Sequence, residues 1–320
     1  MPPSGLDALR ALAPGAVLTL GNFDGVHLGH RALLNRARAV AHSAPVIAAT
    51  FDPHPAAILK PEAAPLRLTP FGLRRRLLLA AGADDVLVLP PTPEVLTIEA
   101  EDFFAILRDD AKVSHLVEGD NFCFGRNRRG TIARLADWTA AAHIGLSIVP
   151  PVEVPLLDCT IVPVSSSLIR FLAAAGRVRD AGICLGASLR LVGKVVEGFK
   201  RGRTIGFPTA NLDCTGNVVP GDGVYAARVT LGGRTYPVAV NVGPLPTFSA
   251  TARQIEAHIS GFSGDLYGQT LELELLDFIR DQRKFPGLEA LKAQLTLDVH
   301  LSSRLSARTD LHQPLCPISP

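Results

Sequence analysis

Two sequence textures meet near residues 186–188, and a single sheet does not accommodate both. Before that point, short aliphatic or β-branched runs at 17–20, 46–51, 86–89, 115–117 and 146–149 alternate with helix-period stretches at 30–42, 70–81 and 98–110. Such alternation predicts βαβ units and a parallel sheet, whose ligands gather at the carboxyl ends of the strands where strand order reverses. Two further helices are expected at 165–175 and 178–185, the first capped by Ser165 or Ser166. After residue 186 come strands at 189–196, 223–230, 235–242, 255–259 and 270–278, parted by Gly/Pro turns. That pattern predicts an antiparallel barrel or sandwich. A helix at 288–301 follows, then a polar end with three prolines. The expected division is a first domain over 1–186, a second over 187–302, and a loose tail over 303–320.

Composition narrows the function classes. With 32 basic and 30 acidic side chains, the net charge of +2 lacks the basic excess of a nucleic-acid coat. No apolar run reaches the ~18 residues of a membrane span, and the first fifteen residues do not read as a secretory signal. Cys123, Cys159, Cys184, Cys214 and Cys316 are scattered, odd in number and form no CxxC pair. They are expected to be reduced thiols of a cytoplasmic protein. No particular oligomer is predicted.

The string GNFDGVHLGH, residues 21–30, directly follows the first strand. Its glycines let backbone approach a phosphate closely, and the next helix turns its free N–H groups toward the same anion. His27 and His30, three residues apart, fall on one face of a helical turn. There they can donate to a phosphate that gains charge as it is attacked.

This string resembles the FAD synthetase module of bacterial bifunctional riboflavin kinase/FAD synthetases. Other segments match in the same order: TFDPHP at 50–55, VEGDNFCFGRNRRG at 117–130 and VSSSLIR at 164–170. The resemblance implies that Gly21, Asn22, Phe23, Asp24, Gly29, Ser165, Ser166, Ser167 and Arg170 bind ATP. It implies flavin contacts at Asp52, His54, Asp120, Asn121, Phe122, Phe124 and Arg128. Two positions depart from the family pattern: Ser167 replaces the usual Thr, and Asn121 stands where a second acid is frequent.

The second half carries GKVVEGFKRGRTIGFPTANL, residues 193–212. Glycines interleaved with Lys and Arg suit a polyphosphate, although no Walker A signature closes the loop. In the Pro-Thr-Ala-Asn turn a hydroxyl and an amide oxygen lie two residues apart, which suits Mg²⁺ sharing its coordination with ATP. This half resembles the riboflavin kinase module, continuing through PGDGVYAARV, NVGPLPTF and IEAHI to the final helix. By that resemblance Gly198, Lys200, Gly202, Arg203, Thr204, Gly206 and Pro208 hold ATP, Thr209 and Asn211 hold Mg²⁺, and Glu256 is the catalytic base. On its own, Glu256 also reads as an outward residue of an alternating strand. Leu245 departs from the family's frequent Arg.

The expectation is an α/β Rossmann-like nucleotidylyltransferase domain followed by an antiparallel β-barrel kinase domain with a C-terminal helix. Its substrates and products are ATP, riboflavin, FMN and FAD, with no nucleic-acid or membrane partner. Competing readings are a chain with one active module, another HxGH nucleotidylyltransferase, or a flavin-binding regulator that turns over no ATP. The second leaves residues 187–302 unexplained.

Overall fold

A computed structural model describes residues 5–198, 206–244 and 253–308. The chain divides into two compact units, Met1–Pro65 with Pro70–Val152, and Leu66–Thr69 with Glu153–Pro320.

The first unit opens on a short helix, α1 (Leu6–Arg10), and builds a five-stranded parallel sheet. Its strands are β1 (Val17–Gly21), β2 (Val46–Phe51), β3 (Asp85–Leu89), β4 (His115–Gly119) and β7 (Gly145–Val149), in the order β3-β2-β1-β4-β7. Helices α2 (Leu28–Ala41), α3 (Ala56–Leu59), α4 (Phe71–Ala80), α5 (Pro93–Thr97), α6 (Ala100–Ala105) and α7 (Ile132–Ala141) connect them, with a small hairpin of β5 (Cys123–Phe124) and β6 (Gly130–Thr131). β1 is buried on both faces, as a central parallel strand must be. Val17 packs with Phe23, Leu34 and Leu78 on one side, and Leu18 and Leu20 with Phe103, Leu116 and Leu135 on the other. Strand order reverses between β1 and β4, so the loop leaving β1 lies at the topological switch point.

The second unit begins with a hairpin, β8 (Glu153–Pro155) and β9 (Ile161–Pro163), and two helices, α8 (Ser166–Ala174) and α9 (Val178–Leu185). Gly186 ends α9 in the left-handed region at φ 64°, where a residue without Cβ is least strained. A closed barrel follows: β10 (Leu189–Val196), β11 (Ala210–Asp213), β12 (Gly223–Leu231), β13 (Arg234–Pro244), β14 (Arg253–Ile259) and β15 (Thr270–Arg280), ordered β10-β11-β14-β13-β12-β15. Closure removes the open edges that a sandwich of these strands would leave. Alternate residues fill the interior, among them Leu189, Leu191, Ile255, Ala257, Leu271 and Leu273. The last helix, α10 (Leu288–Ser306), is clamped by Arg280, whose guanidinium donates to the buried Asp298 carboxylate at 2.7–3.2 Å.

Several expectations are corrected. The stretch expected as one helix over 98–110 is α6 followed by a π-turn at Ile106–Asp110. α7 and β11 were not among the expected elements. α10 runs five residues past its expected end at 301. Cys159 is disulfide-bonded, against the expectation of five reduced thiols, whereas Cys123, Cys184 and Cys214 are free. Cysteine pairing depends on proximity in space, which linear spacing does not encode.

Candidate active sites

The loop from β1 to α2 forms the first site. Phe23, Gly25 and Val26 have φ of 48°, 88° and 46°, so the backbone folds back tightly on itself. Phe23 and Val26 are fully buried and anchor this strained turn from below. His27 is the N-cap of α2, and its Nδ1 accepts from the His30 backbone N–H at 3.4 Å. The helix thus starts two residues earlier than expected, and His30 lies inside its first turn. The two imidazoles stack with centroids 3.6 Å apart, and the Phe23 ring meets His30 edge-on at 5.1 Å. Burial, the neighbouring His27 and the Arg74 cation hold His30 well below the ordinary histidine range. Two imidazoles thus stand at a helix N-terminus, whose free backbone N–H groups favour an anion.

Beneath the loop lie residues the motif did not reveal. Arg74 of α4 is buried and donates from Nη1 to the Asn22 carbonyl at 3.0 Å and from Nη2 to Asp52 at 2.7 Å. Thr50 Oγ1 donates to the same Asn22 carbonyl at 3.0 Å. His54, two residues past Asp52, accepts from the Ala56 N–H at 3.1 Å. Asn22 Oδ1, His30 Nδ1 and Arg74 Nε are buried without a hydrogen-bond partner. Across the switch point β1 pairs with β4 only at Val17–His115 and Leu18–Leu116. The Leu20 N–H instead donates to the buried Glu118 carboxyl at 2.9 Å, and desolvation pushes that carboxyl well above its usual range. Arg74 sits in the run Arg74-Arg75-Arg76, which reads as a solvated helix face; burial alone singles it out.

The remaining expected residues of this half separate into groups. Phe124 belongs to the core, meeting Phe103 at 5.7 Å and Trp138 at 6.1 Å, while the half-buried Phe122 stacks on it at 5.5 Å. Asp120, Asn121 and Arg128 are exposed, and Asp24 is buried. Gly21 ends β1, and Gly29 lies in the first turn of α2. Ser165, Ser166, Ser167 and Arg170 belong to the second unit. There Ser165 caps α8 by accepting from the Leu168 N–H at 3.2 Å, and Arg170 Nε donates to the Leu66 carbonyl at 2.8 Å.

The second constellation lies on the barrel. Ile255, Ala257 and Ile259 of β14 face inward, so Gln254, Glu256 and His258 share the outer face. Glu256 stands in register with Asn211 on β11 and with Asn241 on β13. The Gln254 amide donates to Asn211 Oδ1 and to Glu256 Oε1, each at 3.0 Å, so one NH₂ group links both. His258 Nδ1 lies 2.9 Å from the Pro208 carbonyl, to which it must donate, and this ties the Pro-Thr-Ala-Asn turn to β14. A Cβ at Gly198 would collide with the Asn211 amide, so only glycine permits that approach. Thr209 and Pro208 line an open cleft of about 760 Å³ with Val195, Phe262, Asp265 and Tyr267. Glu256 does not line it. Gly206 is exposed, while Lys200, Gly202, Arg203, Thr204 and Leu245 lie outside the described residues.

Thr209 and Asn211 offer neutral hard oxygens, and Glu256 lies across from Asn211. That donor set fits Mg²⁺ only in company with nucleotide phosphates. Accordingly, no group of three His, Cys, Asp or Glu able to hold a metal exists among the described residues.

Two family models match separate stretches of the chain. A FAD synthetase family model matches residues 9–160, and a riboflavin kinase family model matches residues 185–305. A bifunctional riboflavin kinase/FMN adenylyltransferase of Pseudomonas fluorescens is 36% identical over 310 residues, 95% of this chain and 97% of its own. The chain belongs to that bifunctional family. The family's protein in Escherichia coli strain K12 is also 36% identical, over 90% of this chain and 92% of its own. A solved structure described as a macrolide-efflux protein from Streptococcus pneumoniae superposes with a TM-score of 0.82 at 32% identity, covering 92% of this chain and 96% of the other. That description is of the streptococcal protein; no helix among the described residues here is long and apolar enough to cross a membrane. Both riboflavin kinase and FMN adenylyltransferase parts of the family are therefore present, the first spanning the barrel and the second the parallel sheet. Residues 161–184, with the serine cap and Arg170, fall between the two family matches.

Proposed function

We propose that this bifunctional enzyme makes FMN on the barrel and FAD at the β1–α2 loop, by two residue sets that do not overlap. The observation that carries this is the pairing, in one chain, of stacked histidines at a helix N-terminus with a carboxylate facing an amide oxygen across two barrel strands. The two sets lie in different compact units, the histidine loop in the first and Asn211 with Glu256 in the second.

In the kinase step, Glu256 accepts the proton of riboflavin's terminal ribityl hydroxyl as that oxygen attacks the γ-phosphate of ATP. FMN and ADP result. Asn211 and Thr209 hold Mg²⁺, which when bound offsets charge on the ATP phosphates. Gly198, Gly206 and Pro208, with the basic residues between them, supply the nucleotide loop. In the second step an FMN phosphate oxygen attacks the α-phosphate of another ATP, and pyrophosphate leaves. His27 and His30 donate to the phosphate as charge grows on it, with the first-turn N–H groups of α2 beside them. No covalent intermediate with the protein is needed, since positioning and charge carry both transfers. The reactions belong to the cytoplasm.

The test is a time course of purified protein with riboflavin, ATP and Mg²⁺, flavins being separated by chromatography. FMN should rise first and FAD later. Accumulation that stops at FMN overturns the second site, and unconverted riboflavin overturns the first.

A further inference from the structure

Arg74 is one of three consecutive arginines on α4, yet its side chain is only 4% exposed while Arg75 and Arg76 face solvent. A cation withdrawn from water needs compensation. Its carboxylate partner, Asp52, is itself 30% exposed, and the contact is 2.7 Å. A buried ion pair of this kind is weak grounds for stability, since desolvation cancels much of the attraction. What the guanidinium does do is join two loops. One fork nitrogen holds the Asn22 carbonyl, inside the turn that carries His27, and the other holds Asp52, in the loop leaving β2. The set is incomplete: Arg74 Nε, Asn22 Oδ1 and His30 Nδ1 are all buried and unpartnered. Buried polar atoms are rarely left so, except where a ligand or a functional constraint accounts for them.

We propose that Arg74 is a positioning residue of the adenylyl-transfer site, whose single buried guanidinium locks the phosphate-binding turn to the Asp52 loop and keeps a positive charge beside the His27–His30 pair. This rests on the assignment of that pair to FAD formation. It differs from a packing role in two respects. Charge at residue 74 should matter separately from volume, and its loss should be felt by His30, on which His27 and Arg74 are the charged groups that act. A rigid turn holds donors where charge develops in the transition state, so its loosening should lower kcat more than it weakens substrate binding.

The experiment compares Arg74→Lys and Arg74→Gln with the parent in the full chain. FAD formation from supplied FMN is measured, and FMN formation from riboflavin serves as control in the same preparation. For Arg74→Gln, kcat for FAD formation should fall about 100-fold, with KM for FMN and ATP within about threefold. Arg74→Lys, which keeps the charge but loses the fork, should recover about a tenth of parental activity. FMN formation should stay within about twofold in both. In histidine-labelled protein followed by NMR, His30 should titrate at higher pH in Arg74→Gln, because a neighbouring cation has gone. The assignment is overturned if Arg74→Gln keeps kcat within threefold. It is equally overturned if both variants lose FAD and FMN formation together with a lowered melting temperature, which marks packing alone. A His30→Ala chain that still makes FAD at the parental rate sinks the underlying site as well; one that does not, beside an active Arg74→Gln chain, sinks only the role of Arg74.

Discussion

Asn211 on β11 stands directly opposite Glu256 on β14, and the Gln254 amide donates to both side chains at 3.0 Å. The side chains assigned to metal and to proton transfer are thus held together before any substrate arrives. Gln254→Met keeps the length and removes the donor. It should lower kcat for FMN formation about tenfold, the effect of roughly 1.4 kcal/mol of lost alignment. FAD formation from supplied FMN should be unchanged. Steady-state assays of each half-reaction check this, and an unaltered kinase rate refutes the bridging role.

Separate substitutions should separate the products. His27→Ala removes a donor and the cap of α2, so FAD formation should fall about 10²–10³-fold while FMN formation persists. Loss of the cap should also cost about 1 kcal/mol of stability, which thermal unfolding would detect. Glu256→Ala should do the reverse: FMN formation falls about 10²–10⁴-fold, and supplied FMN still becomes FAD. Joint loss of both products in a folded variant rules out two independent sites.

Gly198 lies where a Cβ would strike the Asn211 amide. Gly198→Ala should therefore push Asn211 out of line with Gln254 and Glu256. About a tenfold fall in FMN formation is expected, with a raised requirement for Mg²⁺. A titration of kinase activity against Mg²⁺ checks both, and an unchanged curve would show that the two residues do not share a site.

Glu118 carries a pH signature. Its carboxyl is raised well above the usual range by burial, so the folded state keeps a proton that the unfolded chain releases near pH ~4.3. Stability is therefore full below the unfolded value and declines as pH rises toward the folded one, reaching a lower plateau above it. Glu118→Gln retains an oxygen for the Leu20 N–H and has no proton to lose. It should melt a few degrees higher than the parent at pH 8, on the order of 2–4 °C, with the gap closing toward pH 4. Melting curves at the two pH values decide, and an equal gap at both contradicts the buried neutral carboxyl.

Much of this protein was legible without coordinates. Strand–helix alternation up to residue 186 and Gly/Pro-parted strands after it follow from local periodicity, because burial repeats with the period of the element. β10 and α9 match their expected bounds for this reason. The histidine pair stood out through a short string whose chemistry is local, whereas Glu256 came forward only through the resemblance to the riboflavin kinase module. What tertiary structure alone decided is which neighbours those strings acquire. Arg74 is indistinguishable from Arg75 and Arg76 along the chain until α4 packs against the sheet. Gln254 looks like any polar residue of an alternating strand until barrel closure brings β11 alongside. Phe124 turned out to be core, and the Glu118 carboxyl is pushed above its usual range, because burial is a property of what covers a residue. Chain-local chemistry sets the periods and the motifs; desolvation, register and contacts between distant segments exist only once the chain has folded.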